Sequence, residues 1–526
     1  MKRWLLILLL WALPAFAGGV AGAPTCGLTD TTIRTPPNYD TVSPPALGAT
    51  YIDATYGCPI TRLTDAINHP GSQTCSTPGT CQGKMFYPLV SPANVNDTLV
   101  FSNLLTLPSI VLGPGPPGQG NPYGTAGAIA VSQANFPTSG TCGNLTSQQF
   151  VIWDTVSWNT FYFTGNNNFC MGTISVNPGC VLTSNCAIAV TVLGTNASYT
   201  AISLMDISRT TDGTHFWIAG HSGGAINDGG CASSGQQCGI FEVTINATGG
   251  AATTATFAAA PSGLTSVYWH KLQMALNQRF QIEGLNGANA FTEYNTDGTS
   301  YATLLTSHHD FGLCADGVSE CMFGTWSVGT ASNPCPHENG AASVQTSTTT
   351  ALVCLLEAFL PGNSTYGVPP SFAPASHFSA TANNGWVALS VQSYASGACP
   401  NASNPYCEQG AGPTNMAAWG LYDGEMLMIK VDGSVIYRLG FHYSRSATCY
   451  WCATGAAFGM SGNYLYFASN FNSCPISCGS QTTTTDQDYE DMYVLSLYAN
   501  SGAPAPAMLM SKLRRPHRPL HPRQKI

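Results

Sequence analysis

The sequence predicts an all-β protein, a seven-bladed β-propeller with long disulfide-stapled loops, and three observations predict it. Helical periodicity is almost absent from the 526 residues. Short apolar or alternating runs recur instead, broken by polar turns such as Asp-Gly, which is the pattern of β-hairpins. The 55 Gly, 34 Pro and 20 Cys then punctuate and staple the connections between them. A β-sandwich array or a β-helix is the competing architecture.

Residues 1–17 read as a secretory signal peptide, with Lys2-Arg3, an apolar stretch from Trp4 to Leu13, and Ala15-Phe16-Ala17 at the cleavage site. The expected destination is secreted or periplasmic. Residues 18–49 form an N-terminal extension, 50–498 a single propeller, and 499–526 a flexible, basic, Pro-rich tail. No later segment is a long enough apolar run to span a membrane. First strands of blades are expected near Tyr87, Ile152, Met205, His270, His309, His377 and Ala457. The spacing is roughly 62 residues per blade, above the ~40–50 of common propeller repeats, and loop insertions such as 111–123 and 225–238 absorb the excess. Three hairpins are explicit: Met205–Ser208 with His215–Ala219, Met426–Val431 with Val435–Leu439, and Ala456–Met460 with Tyr464–Ala468. The last blade holds too few strands by itself, and Pro59–Asp65 is the candidate that closes the ring.

Charge narrows the function classes. Only 8% of residues are charged, the net charge is −9, and aromatic residues make up 10%. Disorder, coiled coil and a broad basic surface for nucleic acid are thereby disfavoured. Between the basic start and the basic tail the cations are Arg34, Arg62, Lys84, Arg209, Lys271, Arg279, Lys430, Arg438 and Arg445, so each is individually informative. The cysteines of an exported chain pair in an oxidising compartment. Spacing points to Cys75/Cys81, Cys180/Cys186, Cys231/Cys238, Cys314/Cys321, Cys399/Cys407 and Cys474/Cys478, with Cys335/Cys354, Cys142/Cys170 and Cys26/Cys58 at longer range. Cys449 and Cys452 have the spacing of redox and zinc sites, yet no second such pair accompanies them, and a structural disulfide is expected.

First strands of propeller blades line the central channel, so polar groups on them converge from distant positions. Trp269-His270-Lys271, His308-His309-Asp310 and Ser376-His377-Phe378 open consecutive blades, and Phe441-His442-Tyr443-Ser444-Arg445 leads to the next. Neutral imidazole ligates transition metals and moves protons near neutrality, so His270, His309 and His377 are the leading candidates. Asp486-Gln-Asp488-Tyr-Glu490-Asp491 is a weaker acidic cluster that lacks full calcium-loop spacing.

Several of these stretches resemble a known family. His309-Asp-Phe-Gly, Asp316-Gly317, His377-Phe-Ser with Gly385-Trp-Val-Ala-Leu-Ser390, Glu425 with Val431-Asp-Gly-Ser434, Tyr437-Arg-Leu439, His442-Tyr-Ser-Arg445 and Phe467-Ala-Ser-Asn470 are similar to secreted bacterial propellers related to oligogalacturonate lyases. The resemblance covers roughly residues 300–500 and implies metal-assisted β-elimination on uronic-acid-containing oligosaccharides. It places metal ligands at His309 and His377, for a divalent ion such as Mn, Ca or Zn, and a further functional histidine near His270. Two departures stand out: Ser379 occupies the place of a second sixth-blade histidine, and Arg209 is the available arginine ahead of His270. Within this scheme His270 or Lys271 supplies the base and Arg209 or Arg445 clamps a carboxylate. Trp269, His442 and Tyr443 are the candidate substrate contacts. The expected partner is an acidic oligosaccharide or polysaccharide, with no nucleic acid and no membrane span. The alternative is a non-catalytic secreted propeller that binds carbohydrate or protein.

Overall fold

The computed structural model describes residues 22–34, 36–38, 42–66, 68, 82–84, 91–104, 107–115, 123–132, 135–137, 139–143, 151–175, 180, 186–209, 213–222, 237–248, 253–261, 272–275, 278–283, 290–305, 309–326, 340–345, 350–357, 374–379, 385–391, 422, 424–444, 454–471 and 490–498. The chain is an all-β propeller whose strands follow in this order. First come β1 (Thr50–Ile52), β2 (Pro59–Arg62), β3 (Gln82–Lys84), β4 (Leu99–Leu104), β5 (Leu107–Leu112) and β6 (Ile129–Val131). A second group holds β7 (Ile152–Trp153), β8 (Thr160–Gly165), β9 (Asn168–Ser175) and β10 (Ala187–Thr195). Next are β11 (Ala201–Arg209), β12 (His215–Ser222), β13 (Gln237–Ile245) and β14 (Ala255–Phe257). These lead to β15 (Leu272–Met274), β16 (Phe280–Glu283), β17 (Ala290–Tyr294) and β18 (Ser300–Leu305). Beyond lie β19 (His309–Leu313), β20 (Glu320–Trp326), β21 (Gly340–Gln345) and β22 (Thr350–Glu357). The chain continues with β23 (Pro374–Ser379), β24 (Trp386–Val391), β25 (Glu425–Lys430) and β26 (Ile436–Phe441). It ends on β27 (Ala456–Phe458), β28 (Tyr464–Ser469) and β29 (Glu490–Ser496).

From β7 to β26 these strands form four-stranded antiparallel sheets, each a simple up-and-down run. The remaining strands form a nine-stranded sheet in which β2 pairs antiparallel with β29, joining N-terminal chain to C-terminal chain. A short parallel contact, Glu490 with Gln82 and Asp491 with Gly83, links its two halves. Divided there, the sheet separates into β27-β28-β29-β2-β1 and β3-β4-β5-β6. The Pro59–Arg62 segment thus takes the closing position, while the first inner strand lies at Gln82–Lys84 and Tyr87 lies outside the described residues. The hairpin turns follow their sequence chemistry: Gly433 of Asp432-Gly433 adopts φ 71°, a left-handed conformation that glycine reaches without a Cβ clash.

Strand alternation drives side chains into the gaps between neighbouring sheets. Phe101 stacks on Trp153 with centroids 4.2 Å apart between β4 and β7, and Tyr162 meets Phe216 between β8 and β12. Trp217 meets Phe280 at 4.0 Å between β12 and β16. Apolar clusters likewise join β19–β22 to β23–β26, β23–β26 to β27–β29, and β27–β29 to β3–β6. Each buried aromatic or aliphatic side chain contributes about 1.5–3 kcal/mol, so the ring is held by repeated apolar joints.

Disulfides join Cys26 to Cys58, Cys142 to Cys170, Cys180 to Cys186 and Cys314 to Cys321, with Cα separations of 5.1, 6.3, 4.6 and 5.0 Å. Cys354 is also disulfide-bonded. The other predicted pairings fall wholly or partly outside the described residues. The first bridge ties the N-terminal extension to the ring, and Leu28 adds a β-bridge to Arg438 on β26. Arg438 is fully buried there, bidentate to Glu425 at 2.7 and 2.5 Å, and donates to Thr32 O at 2.6 Å. Among the described residues no helix is long and apolar enough to cross a membrane. The disulfides are compatible with a secreted or periplasmic protein.

Candidate functional site

The up-and-down strand order sorts the connections between two rims. Second-to-third and last-to-next-first connections leave from one rim, and they include the long intervals 222–237, 357–374, 391–425, 441–456 and 469–490. The opposite rim holds short ones such as 209–215, 313–320 and 458–464. Trp269, His270, Lys271 and Arg445 lie outside the described residues. His309 is the first residue of β19 at the long-connection rim, and His377 lies within β23, a strand that packs beside β19 and β27.

His309 is 4% exposed, and its Nε2 is bonded to Oε1 of Gln281 on β16, which makes Nε2 the protonated nitrogen. Its ring meets Phe311 edge-on at 5.5 Å. Asp310 is buried, accepts a bond from Phe311 N at 2.8 Å, and pairs across the sheet with Phe323, so it serves the opposite face. Among the described residues no group of three or more His, Cys, Asp or Glu is arranged to hold a metal ion. The His377 side chain lies outside those described.

Three other sequence candidates occupy different places from those expected. Arg209 ends β11, opposite Phe216, whereas the start of that strand, Ala201, lies opposite His221. The partner strand runs five residues between those registers, roughly 17 Å, which puts Arg209 at the short-connection rim, away from His309. His442 is buried, donates from Nε2 to Val391 O at 2.9 Å, and accepts from Ser444 N at Nδ1 at 3.0 Å. Desolvation pushes its imidazole down to about 4, so it is a neutral internal brace rather than a substrate contact. Tyr443 is also buried, packs on Phe441 and Phe471, and donates to Pro37 O at 3.3 Å. In the acidic cluster, Asp491 is engaged by Arg62 at 2.6 Å and by Thr64 and Ala66 N at 2.9 Å, as part of ring closure.

The structure also brings together a group that the sequence does not announce. Arg279, at the head of β16, bonds Glu293 on β17 and Glu320 on β20, the latter at 2.6 Å, and lies 4.0 Å over the Tyr301 ring. Gln281 sits directly opposite Glu293 in register. A polar file thus runs from Glu320 through Arg279, Glu293 and Gln281 to His309. Burial and the neighbouring Glu320 charge push the Glu293 carboxyl up to about 7, against the pull of Arg279. The unusual appearance of Arg279 among few internal cations was the one available signal.

No protein-family model matches the chain, and no curated protein matches it by sequence. Solved structures with a similar arrangement include β-propellers. An oligogalacturonate lyase from Vibrio parahaemolyticus matches with TM-score 0.43 and 10% identity, over 85% of this chain and 96% of that one. The Pan2 WD40 domain of Neurospora crassa matches with TM-score 0.42 and 8% identity, over 83% and 95%. The Dos1 propeller matches with TM-score 0.32 and 10% identity, over 80% and 96%. These likenesses concern shape and assign no chemistry.

Proposed function

We propose that the chain is a secreted or periplasmic seven-bladed propeller that cleaves uronic-acid-containing, pectic oligogalacturonate-like oligosaccharides by β-elimination at its long-connection rim. One observation supports this reading above the others: His309 opens β19 and His377 lies in β23, first strands of neighbouring sheets that pack beside each other. In the reaction, His270 or Lys271 removes the proton α to the uronate carboxylate. The C–H electron pair forms the new double bond, the C4–O bond breaks, and the departing oxygen takes a proton from a rim acid or water. Arg445 pairs with the carboxylate and so acidifies that proton. A divalent ion, when bound, supplies the same neutralisation.

The test is a rise in ultraviolet absorbance from the unsaturated uronate when the protein meets a panel of acidic glycans, with and without Mn, Ca or Zn. His270→Ala is expected to abolish it while the protein still binds glycan. No absorbance change across the whole panel overturns the proposal. The net charge of −9 supports a second reading, a propeller that binds carbohydrate or protein without turnover, because an acidic body gains no general attraction for an acidic polymer. Retention on a glycan array without product, unchanged by His270→Ala, would establish that alternative.

A further inference from the structure

Six neighbouring pairs of strand groups share apolar clusters, but among the described residues none spans β15–β18 and β19–β22. That joint carries Arg279, Glu293 and Glu320, with side-chain exposures of 15%, 0% and 3%. We propose that this joint is a pH-sensitive seam of the ring: Arg279 holds Glu293 and Glu320 together while Glu293 keeps its proton, and loss of that proton loosens the contact that seats His309.

Charge balance is the physical reason. With one carboxyl protonated, the guanidinium and the remaining carboxylate neutralise each other. With both ionised, the cluster carries a net negative charge in a place poorly reached by water. Arg279 uses Nε on Glu293 and Nη2 on Glu320, and Glu293 Oε2 has no hydrogen-bond partner among the described residues. Among the described residues, the charged groups acting on Glu293 are Arg279 from the head of β16 and Glu320 from β20, and Tyr301 from β18 lies against the Arg279 guanidinium. His309 of β19 lies further along the same face, and the Glu283 side chain is outside those described. Gln281 couples the cluster to the functional rim, because it lies opposite Glu293 and bonds His309. The inference holds whatever substrate the rim takes.

The experiment is amide hydrogen exchange on the full chain under non-reducing conditions, at about pH 5 and about pH 8, corrected for intrinsic exchange rates. Protection in β16 and β19 is expected to fall about fivefold or more on going to the higher pH, while β8 and β24, which flank apolar joints, change little. In Glu293→Gln, which keeps shape and hydrogen bonding, the β16 and β19 difference is expected to vanish. Glu320→Gln is the second variant; it leaves one carboxylate per guanidinium and is expected to vanish the difference as well. Equal pH response at the polar and apolar joints, or a response that persists in both variants, overturns the proposal.

Discussion

The two faces of β16 hold the same strand to its neighbours by opposite means. Phe280 and Ile282 enter the apolar joint with Trp217, Ala219 and Ile240, while Arg279 and Gln281, alternate residues, enter the polar one with Glu320 and His309. Trp217 also donates from its indole to Gln278 O at 2.8 Å, so that joint leaves its polar handle satisfied. Apolar burial accumulates with area and is indifferent to proton concentration. A buried ion cluster is near break-even as a whole but costly once one member is removed, because the others stay desolvated. The comparison teaches that one strand can combine a firm joint with a responsive one simply through its period of two.

The largest expected effect falls on the apolar face. Phe280→Ala should cost about 3–5 kcal/mol, since it removes the ring that Trp217 packs against, and denaturant unfolding at two pH values should show the same loss at both. Arg279→Met comes next, at about 3 kcal/mol near pH 8. Its cost should shrink at about pH 5, where a protonated Glu293 relieves the repulsion from Glu320, and a pH-independent cost would break the contrast.

Glu293→Gln sharpens it further. A carboxyl whose folded pKa is raised from 4.5 to about 7 keeps its proton in the folded state after the unfolded chain has lost it. Its stability contribution is therefore fully present below about pH 4.5, declines as the pH rises to about 7, and is flat beyond. The variant should match the parent within about 1 kcal/mol in acid and exceed it near pH 8. Part of the slope should remain, because the buried Asp97 carboxyl is also pushed up to about 7, chiefly by desolvation, and has the same sign. The smallest effect is expected at Val318, 68% exposed on the β19–β20 turn, where Val318→Ser should stay within about 0.5 kcal/mol.

The sequence by itself determined the local grammar of this protein. Alternating apolar runs and Asp-Gly turns located most inner strands, Pro59–Arg62 was legible as a strand awaiting a partner, and the spacings of Cys180/Cys186 and Cys314/Cys321 foretold their bridges. These features depend on backbone preferences and short loops, which act within a few residues. Only the tertiary structure decided what each face meets. Glu293 and Glu320 lie 14 and 41 residues from Arg279, so no local pattern could pair them with it. His442 and Tyr443 are candidate substrate contacts by sequence, yet Val391, Pro37 and Phe471 enclose them. Arg209 has the right chemistry at the wrong end of its strand. Alternation tells which residues share a face, but the packing of whole sheets decides which neighbour, or which rim, that face confronts.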